Sequence, residues 1–571
     1  MSFKKNFGAS PEQKEVKINF LRSMLSVSGV SVLCRMTGYM RDLLIANFIG
    51  VNSVSDALML AIRAPSFFRR IFGEGAFHVS FLPIFTKLIK GKSVEENKEA
   101  FEFAGAIMTV LALSLIACVA LITYYFSAIN HFIFSDMATK QPETFELYNK
   151  FGTITLSFVF FISMSSFFGS ILNSFGKFGA YASAQMIGNL TVIAFVLALL
   201  PLVSDIGVLF SFAILISGVF QCLWVLVACY WSGYHIGFRI PRWNGFMKKF
   251  ALNIGPGALG VGVIQLNLVI GAYLAASLPK GSISCLSYAD RINQLPLSII
   301  GMSLSSVLLP LLSQQAKSKN VHAANRTQNN VVKLASFLTF PVAVLFIGAS
   351  YSMVHAFFGY GKVTQNDLSK IAAILAAFGV GAPAYVLMKI FNVRFFSEGN
   401  TKVPLYASCL NLVVNIVLGV WLMKKFGCVG IAAASCCSSW SSVFFLVVIL
   451  YSRGMITIKR SVGLFFLRLA GSCAAMGFVL IAVNLLIGQL VAGGFTDFAV
   501  SKESSLVAKS LMMTFVVSAG VVSFVFFSLY FRVTSVRQIK AIAKSMSGKP
   551  VSALRSSNAN APVKQDATAS V

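Results

Sequence analysis

Apolar runs of about 20 residues, long enough to cross a hydrocarbon core of roughly 30 Å as a helix, recur fourteen times between residues 24 and 531. Composition agrees with that reading. Hydrophobic residues make up 57% and charged residues 12% of the chain, with a mean hydropathy of +0.78, whereas a water-facing domain carries roughly a quarter of its residues charged. The expected fold is therefore an all-α polytopic membrane protein with about 14 transmembrane helices.

The net charge of +28 raises the question of nucleic acid, which the placement of the charge answers. With a cytoplasmic N-terminus, the segments on that side hold 30 of the 47 Lys and Arg, and the opposite loops hold 7. This asymmetry is the positive-inside signature and puts both termini in the cytoplasm. Lys424 and Lys425 are the exception, falling on the outer side. The basic tail from about Ser535 reads as a disordered segment lying against anionic lipid; no nucleic-acid partner is expected. The first apolar run has span length and no small-residue cleavage pattern, so it is expected to stay in the membrane. Ten cysteines are scattered without CxxC spacing and five histidines are isolated, so no disulfide framework, metal centre or cofactor is expected. His78 reads as a packed polar residue.

Ten basic residues lie inside spans. Arg468, Lys370 and Lys509 sit near span ends, where long side chains reach the headgroups. Arg35, Arg41, Arg63, Arg69, Arg70, Arg291 and Lys389 lie deeper, where a lipid-facing charge costs from about 2.5 kcal/mol upward. They must face protein or water. At 100° per residue, Asp56, Arg63, Arg70 and Glu74 fall within about 40° of one another on the second span. On the first span Arg35 and Asp42 share a face, with Arg41 beside them. Ion pairs of Arg70 with Glu74, Arg63 with Asp56, and Arg35 or Arg41 with Asp42 are the plain structural alternative. They do not use up the charge. Six arginines (35, 41, 63, 69, 70 and 291) stand against four acids, Asp42, Asp56, Glu74 and Asp290. An uncompensated cationic cavity in a bilayer calls for an anion, and paired guanidinium donors fit phosphate or carboxylate oxygens.

The chain also repeats itself. DALMLAIRAP, ending at Pro65, followed by SFLPIFTKL, ending at Leu88, resembles YADRINQLP, ending at Pro296, followed by VLLPLLSQQ, ending at Gln315. NSFGKFGAYAS, ending at Ser183, resembles SEGNTKVPLYAS, ending at Ser408, with Tyr-Ala-Ser 225 residues later. Six spans thus repeat as six in the same orientation, giving two pseudo-symmetric six-helix lobes plus two C-terminal helices. Two parallel lobes around a mid-membrane site are a transporter architecture with alternating access. The expected layout is a cytoplasmic segment 1–23, an N-lobe 24–231, an inter-lobe loop 232–250, a C-lobe 251–452, a C-terminal helix pair 453–532 and a basic tail 533–571.

The run CRMTGYMRDLLIANFIGVNSVSDALMLAIRAPSFFRRIFGEGAFHVSFLPIF, residues 34 to 85, resembles the opening of the MurJ (MviN) family of bacterial lipid II flippases, related to the MATE exporters. GPGALGVGVIQLN (255–267), SYADRINQLP (287–296) and FGYGKVT (358–364) extend the resemblance over nearly the whole chain. The resemblance implies a fourteen-helix transporter in the bacterial inner membrane. It would move the undecaprenyl-pyrophosphate-linked peptidoglycan precursor to the outer leaflet, with the last two spans forming a groove for the polyprenyl tail. It implies that Arg35, Arg41, Arg69, Arg70 and Arg291 are the cavity arginines and Asp56 the second-span acid. Arg63 stands where other members carry Lys. Gln294 stands where members carry Glu, which puts an ion pair from Arg291 to a carboxylate one turn later in question. Membrane potential or a coupled ion as driving force, and a cell-wall polymerase as partner, are family-level expectations only.

Three other readings stay open. A MATE-like exporter of cationic drugs would share the lobes but favour an acidic cavity. A flippase for another polyprenyl-pyrophosphate glycan would use the same arginines. A membrane-embedded enzyme would need clustered Asp, Glu or His in a span, and no such catalytic constellation is visible.

Overall fold

The computed structural model describes residues 11–534 except 69–76, 90, 92–94, 242, 319, 457–459 and 493–505. Arg69, Arg70 and Glu74 lie outside the described residues. All regular structure among the described residues is helical. The N-terminal half comprises α1 (Pro11–Phe48), α2 (Ser53–Phe68), α3 (Phe77–Leu88), α4 (Lys98–Tyr124), the short α5 (Phe126–Ile133) and α6 (Ser135–Lys140), α7 (Pro142–Leu156), α8 (Phe158–Ser174), α9 (Gly179–Leu199) and α10 (Ile206–Trp231). The C-terminal half comprises α11 (Gly245–Ala276), α12 (Ser282–Lys317), α13 (Val321–Gly348), α14 (Ser350–Phe358), α15 (Gln365–Ser397) and α16 (Lys402–Ser452), followed by α17 (Arg460–Ala492) and α18 (Leu506–Tyr530).

Among the described residues, ten helices are long and apolar enough to cross a membrane. The protein is a multi-pass membrane protein. The 51-residue α16 carries two of the expected spans, bent at Gly427, whose φ of 56° and ψ of −132° suit glycine alone. The described parts of the expected second span are α2 and α3. Between α4 and α7 the chain forms α5 and α6, where the sequence predicts only a connection.

Helix starts follow local chemistry. Asp205 caps α10, Asn244 caps α11 and Asn320 caps α13, each accepting a backbone N–H near the helix start. Thr364 and Asp367 form a reciprocal capping box at α15. α12 differs: Gly281, with φ of 88°, precedes it and supplies no side-chain cap.

In the N-terminal bundle α1 packs on α9, α2 on α7, and α10 on α8 and α9. In the C-terminal bundle α15 is central, touching α12, α13 and α16. α17 and α18 pair with each other and lean on α13 and α14. One apolar cluster runs through both bundles, from Ile45, Leu58 and Phe210 to Tyr288, Phe346 and Leu375. Small residues at the contacts, Ala46, Ala57 and Ala61 among them, are fully buried and let the helices approach closely, as lipid-embedded packing requires. The bundles meet where α1 and α2 face α12, and where α3 meets α11.

Candidate functional site

The charged residues of α1, α2 and α12 come together at the junction of the bundles. Asp42 of α1 is buried. Arg41 donates to its Oδ1 from Nε at 3.0 Å and from Nη2 at 2.8 Å, and from Nη1 to Asn189 Oδ1 of α9 at 3.3 Å. Arg291 of α12 pairs with the other oxygen, Oδ2. One carboxylate therefore serves two guanidinium groups from opposite bundles, which leaves one positive charge uncompensated. Both arginines keep part of their surface: the side chains of Arg41 and Arg291 are 18% and 35% exposed.

Two further cations stand close by. Arg35 donates from Nη2 to the thioether of Met302 at 3.5 Å, a weak acceptor that neutralises nothing. Its charge is felt by Arg291 and by Lys389 of α15. The Lys389 stem passes over Gly301, whose missing side chain leaves room for it: an added Cβ would sit 3.3 Å from Lys389 Cδ.

Arg63 lies on the face of α2 turned to α12. It donates to Ser287 Oγ at 2.9 Å, within reach of the charges of Asp290 and Asp56. Asp290 accepts from Gln294 Nε2 at 2.6 Å. Asp56 does something else. Its carboxylate takes the N–H of Gly281 at 2.7 Å, the N–H of Ser284 at 2.8 Å and the Ser284 hydroxyl at 2.5 Å. It is the missing cap of α12, supplied from the other bundle.

Some sequence expectations change accordingly. Arg63 does not pair with Asp56: seven residues of helix separate them by about 10 Å of rise, and the free amides at the start of α12 lie nearer to the carboxylate. Arg291 finds its acid across the interface on α1, while Gln294, one turn on, binds Asp290. Lys389, deep in its span but outside the six arginines that the sequence singles out, joins the cluster. Lys509, expected to reach headgroups, is buried. Among the described residues the cluster sets Arg35, Arg41, Arg63, Arg291 and Lys389 against Asp42 and Asp290, with Asp56 engaged in capping.

Polar contacts close the bundles together at one end. Ser55 and Ser284 share a hydrogen bond of 2.7 Å, and Tyr288 donates to Gly50 O at 3.3 Å. Lys280 pairs with Glu143 at 2.5 Å, Gln141 Nε2 donates to Leu278 O at 2.5 Å, and Lys362 N–H to Asn47 O at 3.1 Å. All of these groups stand at or beside the α1–α2, α6–α7, α11–α12 and α14–α15 connections.

Two helical bundles tied by polar contacts at the Asp56 end, with partly exposed cations at their interface, define a polytopic membrane transporter. A family model described as lipid II flippase MurJ matches residues 45–501. The chain belongs to the MurJ family. A probable lipid II flippase MurJ of Rickettsia prowazekii (strain Madrid E) is 30% identical over 467 residues, covering 82% of this chain and 91% of that protein. One from Vibrio cholerae is 28% identical over 471 residues, covering 81% and 88%. A lipid II flippase MurJ structure in an inward closed conformation superposes with a TM-score of 0.72 at 26% identity, over 88% of this chain and 98% of that one. An inward-facing MATE family multidrug transporter of the MOP superfamily shares the fold alone, with a TM-score of 0.63 at 13% identity, over 76% and 98%.

Proposed function

We propose that this protein is a flippase for lipid II, carrying the undecaprenyl-pyrophosphate-linked peptidoglycan precursor from the inner to the outer leaflet of the bacterial cytoplasmic membrane. The observation that carries the reading is the sharing of Asp42 by Arg41 and Arg291. It leaves net positive charge and unused guanidinium donors at the interface of the bundles, where a pyrophosphate with several oxygens can accept from more than one fork. Arg35, Arg63, Arg69, Arg70 and Lys389 complete the anion site in this reading, with Asp42 and Asp290 orienting the arginines between loads and Glu74 supporting Arg70.

The work is conformational, with no bond made or broken. Binding of the pyrophosphate competes with Asp42 for Arg41 and Arg291, so it weakens the link between lobes 24–231 and 251–452 and biases the rocking equilibrium by its difference in affinity for the two states. With the N-terminus in the cytoplasm, as the charge asymmetry favours, the end closed by Asp56 and its neighbours is the outer one. Residues 453–532 take the polyprenyl tail. Membrane potential or a coupled ion supplies the direction.

The test is depletion of a conditional host's own lipid II flippase while this protein and its Arg35, Arg63 and Arg291 alanine variants are supplied, scoring lipid II exposed on the outer leaflet. Rescue by the wild type and failure of well-expressed variants are expected. Correct insertion without rescue would overturn lipid II as the substrate and point to another polyprenyl-pyrophosphate glycan.

A further inference from the structure

Lys509 lies in the first turn of α18, yet it is only 1% exposed. Nζ donates to the carbonyl oxygen of Gly359 at 2.7 Å and stands 4.6 Å from the centre of the Tyr360 ring. Burying an ammonium group is costly unless its donors and charge are well met, and these two contacts come from a single segment, the end of α14 and the turn after it.

The same segment grips both bundles. Phe357 and Phe358 lie 5.3 and 6.2 Å from Tyr39 of α1, and Phe358 lies 4.9 Å from Tyr288 of α12. Lys362 N–H donates to Asn47 O at the end of α1. Gly361 has φ of 62°, and a side chain there would run into Asn47. Residues 357–362 therefore touch α1, α12 and α18 at once. Lys362, held by Asn47, follows Gly359, held by Lys509, by three positions, at most about 10 Å of extended chain. The segment has little slack.

We propose that Lys509 is a positioning residue that holds segment 357–362 against α1 and α12, so that the closed end of the bundles cannot open until the hold on Gly359 is released. The α17–α18 pair is thereby coupled mechanically to the closed end. A ligand lying along these two helices that shifts α18 acts on the closure without touching the cationic cluster. The inference rests on the alternating access proposed above, and its main readout needs no substrate.

The experiment is hydrogen exchange followed by mass spectrometry on the full-length protein in lipid nanodiscs, comparing wild type with Lys509→Met, Lys509→Arg, Gly361→Ala and the Lys509→Met/Gly361→Ala pair. Lys509→Met is expected to speed exchange about tenfold at Lys362 and also at Gly281 and Ser284 on the far side of the closure. Lys509→Arg restores protection in part. The double variant exceeds neither single one, because the two changes break the same linkage in series. Exchange gains confined to α18 and residues 359–360, or gains that add in the double variant, would overturn the coupling and leave Lys509 as a local anchor. Should Lys509→Met fail to fold, Tyr360→Leu removes only the ring beside Nζ; it is expected to give the same pattern more weakly, and unchanged exchange at Gly281 and Ser284 would sink the idea. If the wild type fails to expose lipid II while this pattern holds, the substrate assignment falls and the coupling stands.

Discussion

Asp42 on α1 and Arg291 on α12 form an ion pair across the junction of the two helical bundles. Arg41 occupies the other oxygen of the same carboxylate, so the acid is both a structural tie and a limit on how much cationic charge is neutralised.

Asp42→Asn is expected to abolish flipping and to lower stability. Removing one partner of a buried pair costs about 3–5 kcal/mol, and the partial exposure of Arg41 and Arg291 places this case at or below the low end. Combining it with Arg291→Met removes the orphaned cation and should recover part of the thermal midpoint without recovering transport. A double variant no more stable than Asp42→Asn would show that the pair does not hold the bundles.

Asp56→Ala strips α12 of its cap. A lost cap typically costs about 1–2 kcal/mol, and here the loss also loosens one bundle from the other, so amide exchange at Gly281 and Ser284 should accelerate. Glu143→Ala, at the exposed pair with Lys280, should change little, since exposed ion pairs contribute weakly. Equal effects of the two substitutions would argue against Asp56 as the principal tie at this end.

At Gly427 the backbone conformation, not packing, demands glycine: nothing lies within 4 Å of an added Cβ. Gly427→Ala should therefore cost about 1–3 kcal/mol of backbone strain, read as a lower thermal midpoint of the purified protein. An unchanged midpoint would mean that α16 can straighten or bend elsewhere.

Asp205 gives a pH dependence outside the spans. Burial pushes its carboxyl up, but the hydrogen bond from Lys150, the N–H groups of Val208 and Gly207 and the Lys150 charge together hold it below the usual carboxylate range. A depressed folded-state pKa contributes stability that is present above the unfolded value near 4 and fades as pH falls through the folded one. The wild type should thus exceed Asp205→Asn in thermal midpoint at pH 7 and lose that margin progressively below about pH 4. A margin independent of pH would assign the effect to capping geometry alone.

Much was already written in the chain. Apolar runs of span length specify membrane helices because a bilayer satisfies no backbone group, and charge at depth marks a face turned away from lipid because lipid penalises it. Arg35, Arg41, Arg63 and Arg291 could be picked out on that ground alone. The pairing of those charges was decided elsewhere. Asp56 lies on the same face of α2 as Arg63, yet it caps α12, because the N-terminal amides of a helix 225 residues away come nearer than a guanidinium two turns along. Arg291 reaches Asp42 across a comparable gap, and Lys509 reaches Gly359 across 150 residues. Helical periodicity orders residues within a helix and carries no information about which helix stands opposite; only the packing of α1, α2, α12, α14 and α18 around one another fixed those partners.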